Sequence, residues 1–459
     1  MKDGRQLVAK IPNPNAGLPF LTTASEVATM DFVRTVAGIP APKVYAWSAH
    51  ANNTVGAEYI IMEKAEGVLL STRWPSMSME EKHQLIQSII GFERSLLAHP
   101  FGSIGGIYYE KDTANMQNNS LPDAYTGYCV GPTPDRKFLE DGRRNFQTDK
   151  GPWNSTTDYI LASTQRERQC IQQSRRFPRP EGIFGGPHSY QPTVEGKIGV
   201  LNDFEKVVPF LIPKDHNVTM PVLWHSDLHH DNIFVDPKTP SKVLAIIDWQ
   251  SAHIAPLFQQ VITPAFLDFE GPRPNEGLSA PSLPESFEEL PPVEQQRAKA
   301  LRSQQSLFKL YEIQSARGNR PVFNTLQACN TLGCQIISLA SQVYNDGETV
   351  IRGQLMQLAE DWKQLHGNSG VPCPLVYTTD DISKHEVDQL KWEEGVQLME
   401  DVLDSLGGAE NGWQGWVSHD DYDQMKKKLE IVKGQFLDHM ATGHGEREAW
   451  AKAWPFQDQ

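Results

Sequence analysis

Two segments of the chain bring oxygen donors together at a spacing that suits metal-assisted chemistry. The first reads HSDLHHDN over residues 225–232, and the second reads IIDW over residues 246–249. Asp227 and Asn232 lie on a loop that enters a predicted strand, and Asp248 follows an apolar strand. A hairpin between the two segments would bring Asn232 and Asp248 together at its open end.

This arrangement predicts a cation site beside a general base. An amide oxygen from Asn232 and a carboxylate from Asp248 are ligands that Mg²⁺ accepts, and Mg²⁺ usually shares such ligands with a phosphate. The carboxylate of Asp227 would then be free to accept a proton from a hydroxyl group. Asp and Asn are also common in turns for local hydrogen-bonding reasons. A turn-forming role is the better explanation for any one of these residues taken alone. The whole pattern favours the cation site with its general base.

The N-terminal residues predict a small sheet with one helix. The predicted strands cover residues 5–11, 44–47 and 58–62, and the predicted helix covers residues 25–36. A hairpin-turn signal, Asp3-Gly4, comes directly before the first strand. The sequence therefore looks as if it starts within a sheet.

Helical periodicity dominates the chain after residue 78. The predicted helices cover residues 79–99, 158–175, 290–316, 324–344, 348–366, 384–406 and 419–441. Gly, Pro, Asn and Asp are frequent in two further segments, which predicts a long surface excursion over residues 101–155 and a loop over residues 182–199.

Composition narrows the possible partners. The 459 residues include 42 Lys and Arg against 57 Asp and Glu, for a net charge of −15. A surface this acidic argues against non-specific binding to nucleic acid or to anionic lipid, because both need a cationic face. Five cysteines without a CxxC pair fit a reducing compartment rather than a disulfide scaffold. No apolar run approaches the ~20 residues that a membrane-spanning helix needs.

The catalytic pattern resembles a known family. H-x-D-L-H-x-x-N followed by I-I-D-W is similar to the catalytic and metal loops of aminoglycoside phosphotransferases and related small-molecule kinases. Upstream, the strand with Lys10 resembles the nucleotide-lysine strand, Glu26 matches the glutamate that pairs with that lysine, and residues 60–63 resemble the hinge strand. Segments such as VAKIPNPNAG, TTASEVATMDF and IIDWQSAHIAPLF look like the fungal branch, which includes altered inheritance of mitochondria proteins. The resemblance covers nearly the whole chain.

The resemblance implies an α+β, bilobal, protein-kinase-like fold. Residues 1–66 would form a partial, β-rich N-lobe, and residues 67–459 would form a larger, mainly helical C-lobe. The implied cofactors are ATP and Mg²⁺, and the implied partner is a small molecule with a hydroxyl acceptor. The implied location is mitochondrial, although residues 1–10 contain no presequence, and otherwise cytoplasmic. The sequence identifies neither the acceptor nor the oligomeric state.

The resemblance also assigns a role to each matching residue. Lys10 would hold the α and β phosphates, and Glu26 would orient it. Met62 and Glu63 would border the nucleotide. Asn232 and Asp248 would hold Mg²⁺, and Asp227 would act as the base.

One departure concerns the start of the chain. Family members place two strands and a phosphate-covering loop before the lysine strand, where this sequence has only residues 1–5. Two expectations stay open: the chain is truncated at its N-terminus, or this copy has lost its phosphate lid.

Three other functions compete with a small-molecule phosphotransferase. A non-catalytic, kinase-like mitochondrial protein would explain the missing phosphate loop, but it leaves the five matching polar residues unexplained. A metal-dependent hydrolase could use the His and Asp residues of 225–231, but the additional distant histidines are missing. A protein-serine kinase is disfavoured because Trp249-Gln250 follows Asp248 where Phe-Gly is expected, and no Ala-Pro-Glu follows.

Overall fold

The helices and strands of the chain follow most of the predicted elements. The computed structural model describes residues 6–456 except 14, 16, 115, 123–124, 175, 179–180, 275–276, 278, 367–369 and 408–416. The predicted turn at Asp3-Gly4 lies outside the described residues. The strands are β1 (Leu7–Lys10), β2 (Val44–Ser48), β3 (Tyr59–Glu63), β4 (Val68–Leu69), β5 (Gly106–Tyr109), β6 (Asn119–Ser120), β7 (Tyr128–Gly131), β8 (Pro221–Trp224), β9 (Ile233–Val235), β10 (Val243–Ile246) and β11 (His253–Pro256).

The helices account for most of the second half of the chain. They are α1 (Leu21–Thr35), α2 (Leu70–Arg73), α3 (Met79–Leu97), α4 (Thr156–Gln173), α5 (Val194–Leu211), α6 (His216–Thr219), α7 (Pro292–Gly318), α8 (Arg320–Ala328), α9 (Leu332–Ala340), α10 (Glu348–Glu360), α11 (Trp362–His366), α12 (Thr379–Leu406), α13 (Tyr422–Met440) and α14 (His444–Ala453). Among the described helices, none is long and apolar enough to cross a membrane.

The chain divides into two compact units. The first contains Met1–Ala162 with Ile212–Cys334, and the second contains Ser163–Leu211 with Gln335–Gln459. The strands named above all belong to the first unit, and helices dominate the second. The predicted lobe boundary at residue 66 stays a prediction.

In the first unit, α1 packs against the antiparallel sheet with the strand order β1-β3-β2 and against β5 of the sheet β5-β7-β6. A further sheet has the order β10-β9-β4. Apolar faces of α1 and α3 pack in a common core around Phe32, Ile86 and Ile89, which are at most 1% exposed. The N-terminus of α1 is fixed by Glu58, whose carboxylate accepts hydrogen bonds from Phe20 N at 3.0 Å and from Thr23 Oγ1 at 2.6 Å. These contacts hold the start of α1 against the residue that precedes β3, and β3 pairs with the Lys10 strand β1.

The second unit contains a polar network inside its helical core. Lys197 of α5 donates to Glu348 of α10 at 2.8 Å, and the side chains are 1% and 2% exposed. The hydroxyl of Tyr190 donates to the other oxygen of Glu348 at 2.8 Å. A buried charge is tolerated when it is paired and hydrogen-bonded in this way.

Three sequence predictions were wrong. Residues 101–155 are not a surface excursion, because they contain the sheet β5-β7-β6, in which Tyr108 and Val130 are fully buried. The segment predicted as a loop up to Gly199 is helical from Val194 onward. The single helix predicted over 324–344 is also divided, since α8 ends at Ala328 and α9 begins at Leu332.

Candidate active site

A buried histidine connects the two predicted loops. His225 follows the buried strand β8, and its Nδ1 accepts a hydrogen bond from Asp227 N at 3.2 Å. The ring must therefore carry its proton on Nε2, which donates to Ile247 O at 2.9 Å. The ring also packs edge-on against Trp249 with centroids 4.7 Å apart. Burial lowers the pKa of His225, which keeps the ring neutral and suited to this bridging role.

The predicted hairpin is formed by β9 and β10. Ile233 pairs with Ile246, and beyond this pair Ile247 N donates to Asn232 O at 2.9 Å. Asn232 and Asp248 therefore flank the open end of the hairpin. The amide nitrogen of Asn232 donates to Asp227 O at 2.8 Å, so its amide oxygen is directed away from that carbonyl. The side chain of Asn232 is only 5% exposed.

Asp248 adopts a backbone conformation that is unusual for a residue with a side chain. Its φ is 59°, in the left-handed region, which Asp tolerates better than most residues. The conformation directs the chain sharply out of β10, and the carboxylate is 44% exposed. Strain of this kind concentrates at functional sites.

A lysine, a buried glutamate and Asp248 form one ion cluster. Lys10 Nζ donates to Glu26 Oε1 at 2.7 Å and to Asp248 Oδ1 at 2.9 Å. Burial alone would lower the pKa of Lys10, but the two carboxylates outweigh it and raise that pKa. Glu26 is 2% exposed, and burial raises its pKa against the opposing effect of Lys10. The cluster joins β1, α1 and the loop that follows β10.

The two predicted hinge residues lie on β3, beside the lysine strand. Met62 pairs with Val8 across the sheet and packs against the main core. The carboxylate of Glu63 binds Arg34 at 3.2 Å and accepts from Lys43 N at 3.2 Å. The side chain of Glu63 is thus engaged with Arg34 and Lys43, away from the Lys10 cluster.

The predicted general base is accessible. The side chain of Asp227 is 60% exposed, and its Oδ2 lies 3.7 Å from His229 Nε2. Among the described residues, no three His, Cys, Asp or Glu side chains converge as a metal cluster. The donor set of Asn232 and Asp248 nevertheless fits a hard cation that takes part of its coordination from a phosphate, because both residues offer oxygen atoms.

One residue near this site escaped the sequence analysis. Glu93 lies on the buried face of α3, where its carboxylate accepts from Tyr311 Oη at 2.7 Å and from Asn319 Nδ2 at 3.2 Å. It is 5% exposed, and burial raises its pKa to about 7. The sequence did contain a signal for this buried carboxylate. Glu93 follows Ile89 and Ile90 by four and three residues, which places it on the apolar face of the predicted helix.

Comparison with known proteins agrees with the family resemblance predicted from the sequence. The model of the phosphotransferase enzyme family matches residues 1–278. A subtelomeric hrmA-associated cluster protein of Aspergillus fumigatus is 29% identical over all of this chain and 93% of its own length. Altered inheritance of mitochondria protein 9, mitochondrial, of Saccharomyces cerevisiae is 24% identical over 95% of this chain and 73% of its own length.

Solved structures give weaker matches. The streptomycin–ATP–APH(2")-IIa ternary complex aligns with a TM-score of 0.37 and 12% identity, covering 77% of this chain and 85% of that protein. The thermostable aminoglycoside phosphotransferase APH(4)-Ia in its apo form aligns with a TM-score of 0.33 and 12% identity, covering 80% and 89%. The family match over residues 1–278 confirms the predicted resemblance and, with the sheets and helices described above, the α+β, kinase-like fold class.

Proposed function

Because this chain belongs to the phosphotransferase enzyme family, we propose that it transfers the γ-phosphate of ATP to a hydroxyl group of a small molecule. The observation that carries the proposal is the contact of Lys10 with both Glu26 and Asp248. This contact brings a phosphate-binding cation next to the loop that would hold the metal. In a small-molecule kinase, the phosphate-binding lysine and the metal loop act on the same bound nucleotide, so they must lie close together.

Each residue of the cluster has a role in this proposal. Lys10 binds the α and β phosphates, and Glu26 holds the lysine in position. Met62 and Glu63 border the adenine through their strand. Asn232 and Asp248 would hold Mg²⁺, which would offset the negative charge of the phosphates.

Asp227 acts on the acceptor. Its exposed carboxylate orients the hydroxyl group and takes its proton as the oxygen attacks the γ-phosphorus. The bond from that phosphorus to the bridging oxygen breaks, and ADP leaves with the electron pair. Positioning and electrostatic stabilisation supply most of the rate enhancement, because the protein forms no covalent intermediate.

The proposal extends to organisation and location. The lobes are residues 1–66 and 67–459, with the nucleotide between the lysine strand and the catalytic loop. The protein acts in mitochondria, by analogy with relatives that carry a mitochondrial name.

A non-catalytic, kinase-like protein is the second candidate. The observation that favours it is the same ion pair, because Lys10 already occupies the Asp248 carboxylate that the metal would need. Under this alternative, ATP with Mg²⁺ would not displace the lysine, and the cluster would serve only stability.

The test measures ADP formation from ATP and Mg²⁺ with and without a panel of small alcohols and amino sugars. We expect at least one acceptor to stimulate ADP formation. Asp227→Asn should reduce this stimulation by about 10²- to 10⁴-fold while ATP binding persists. Asp231→Asn, on the same loop and outside the proposed machinery, is the matched control. Stimulated transfer at the wild-type rate in Asp227→Asn would refute the assignment of the base.

A further inference from the structure

A largely apolar cavity of about 70 Å³ lies next to the proposed base. Asp227 lines it, and α3 supplies much of its wall. Other walls come from the ends of β8 and β10 with the residues that follow them, and from the segment after β11. The apolar lining residues that matter here are Ile89, Phe92, Leu96, Trp224, Ile246 and Ile262.

The cavity has a buried end and an exposed rim. Ile89 is 1% exposed and Ile246 is 3% exposed, whereas Ile262 is 64% exposed. Asp227, whose side chain is 60% exposed, also lines the cavity. A molecule that presents a hydroxyl to Asp227 can therefore place its neighbouring carbon atoms inside the cavity.

The acidic groups of the cavity do not favour a polycationic ligand. Of the described residues that line it, the carboxylates are Asp227 and Glu93. Both oxygens of Glu93 already accept hydrogen bonds, from Tyr311 and from Asn319. Asp227 is then the one carboxylate of this lining that is open to a ligand, and the proposed chemistry uses it. An amino sugar needs several open carboxylates, since each ammonium group loses water on binding.

We propose that the acceptor is an alcohol whose hydroxyl is attached to a short apolar carbon segment, which occupies this cavity. The proposal rests on the phosphotransferase function above and names its substrate class. An engineered apolar cavity of about 150 Å³ holds one benzene ring. About half that volume takes a segment of a few carbon atoms, and the rest of the molecule extends over the exposed Ile262.

The chemistry follows from this position. Asp227 accepts the hydroxyl proton, the alcohol oxygen forms a bond to the γ-phosphorus of ATP, and the bond from that phosphorus to the β–γ bridging oxygen breaks. The products are ADP and an alkyl phosphate ester. The apolar segment contributes to the binding free energy because its carbon atoms are transferred from water into the cavity, and it makes no contact with the phosphate.

The test uses the full chain and a homologous series of primary 1-alkanols, with a non-hydrolysable ATP analogue and Mg²⁺ present. Calorimetry measures the affinity for each alcohol. Each added methylene should strengthen binding about fourfold until the cavity is filled, after which affinity levels off. Affinity that does not depend on chain length would overturn the proposal, as would tighter binding of an aminoglycoside than of any alkanol.

Two variants locate the binding position. Ile262→Glu places a charge at the exposed rim and should weaken alkanol binding about tenfold. Ile431→Glu is the matched control, because Ile431 is 61% exposed on α13 and does not line the cavity. Equal alkanol affinities in both variants would refute this location.

The nucleotide is measured separately, as the thermal shift with ATP and Mg²⁺. If the nucleotide stabilises the protein and alkanols do not bind, the acceptor class is wrong and the phosphotransferase proposal stands. If alkanols bind with the expected chain-length dependence and the nucleotide has no effect, the phosphotransferase proposal fails and the apolar ligand site stands.

Discussion

Lys10 Nζ lies 2.9 Å from Asp248 Oδ1, although 238 positions separate the two residues along the chain. The same ammonium group lies 2.7 Å from Glu26, which is almost fully buried. Lys10 therefore has two separable tasks. It neutralises a buried carboxylate, and it faces the loop proposed to carry the metal.

Replacing the lysine tests its first role, which is to neutralise the buried carboxylate of Glu26. In Lys10→Met, Glu26 keeps its burial and loses its cation, which should lower the free energy of unfolding by about 1–3 kcal/mol. Lys10→Met/Glu26→Gln should recover most of this loss, because the buried group is then neutral. Neither variant should bind ATP. Urea unfolding followed by circular dichroism measures the stability, and Lys206→Met, which breaks an exposed pair with Asp203, is the control. A double variant no more stable than Lys10→Met would contradict this account.

The second task depends on Asp248. Asp248→Asn keeps a residue that tolerates the left-handed backbone and removes the charge. We expect the thermal stabilisation by ATP with Mg²⁺ to require at least a tenfold higher ATP concentration in this variant. Asp231→Asn should show the same thermal shift as the wild type at each ATP concentration. Its side chain lies on the loop that carries Asn232 but outside the proposed ligand set. An unchanged titration in Asp248→Asn would remove Asp248 from the metal site.

Glu93 should make stability depend on pH. Burial raises its pKa to about 7 from the ordinary value of 4.5, so between these values the folded state holds a proton that the unfolded state has released. The free energy of unfolding therefore contains a contribution that is present at low pH and is lost as the pH rises towards 7. Glu93→Gln should remove that slope and should be more stable than the wild type at pH 8 by up to about 3 kcal/mol.

Chemical unfolding at several pH values measures this difference. The matched control is Glu80→Gln, an exposed position near the start of the same helix, where we expect the wild-type slope. If Glu93→Gln keeps the wild-type pH dependence between about pH 5 and 7, the buried carboxyl group is not its source.

A glycine at the entry to β4 should be intolerant of any side chain. Gly67 has a φ of 91°, and a Cβ built there would lie 2.4 Å from Val235 O. Gly67→Ala should cost more than about 3 kcal/mol, because it adds a backbone clash to the left-handed strain. Gly38→Ala, with a φ of 69° and open space around the added methyl group, should cost about 1 kcal/mol. Equal losses of melting temperature in the two variants would show that the clash relaxes.

The hairpin could be predicted because its signals are local. Apolar strands on both sides of a polar turn specify the pairing of β9 with β10, and this pairing fixes where Asn232 and Asp248 lie. The contact of Lys10 with Asp248 has no local signal. The family resemblance assigns both residues to the nucleotide but does not predict that they contact each other, and no periodic pattern links residues so far apart.

Two of the wrong predictions have a physical reason in common. Glycine-rich segments were interpreted as loops, but Gly105 permits close packing, since a Cβ there would lie 2.2 Å from Gly131 O. In α5, burial of Val200 and Leu201 and the ion pair of Lys197 outweigh the low helix propensity of Gly196 and Gly199. Tertiary contacts of this kind cannot be read from composition. The cavity beside Asp227 was missed similarly, because its apolar lining has the same helical period as an ordinary core.

The backbone hydrogen bond from Ile247 N to Asn232 O also has a consequence for sequence variation. It sets the separation of the two proposed metal ligands at the open end of the hairpin. The turn of residues 236–242 closes the other end, roughly 10 Å away along three residues of strand. Insertions and substitutions in that turn can therefore accumulate while the spacing of the ligands stays the same.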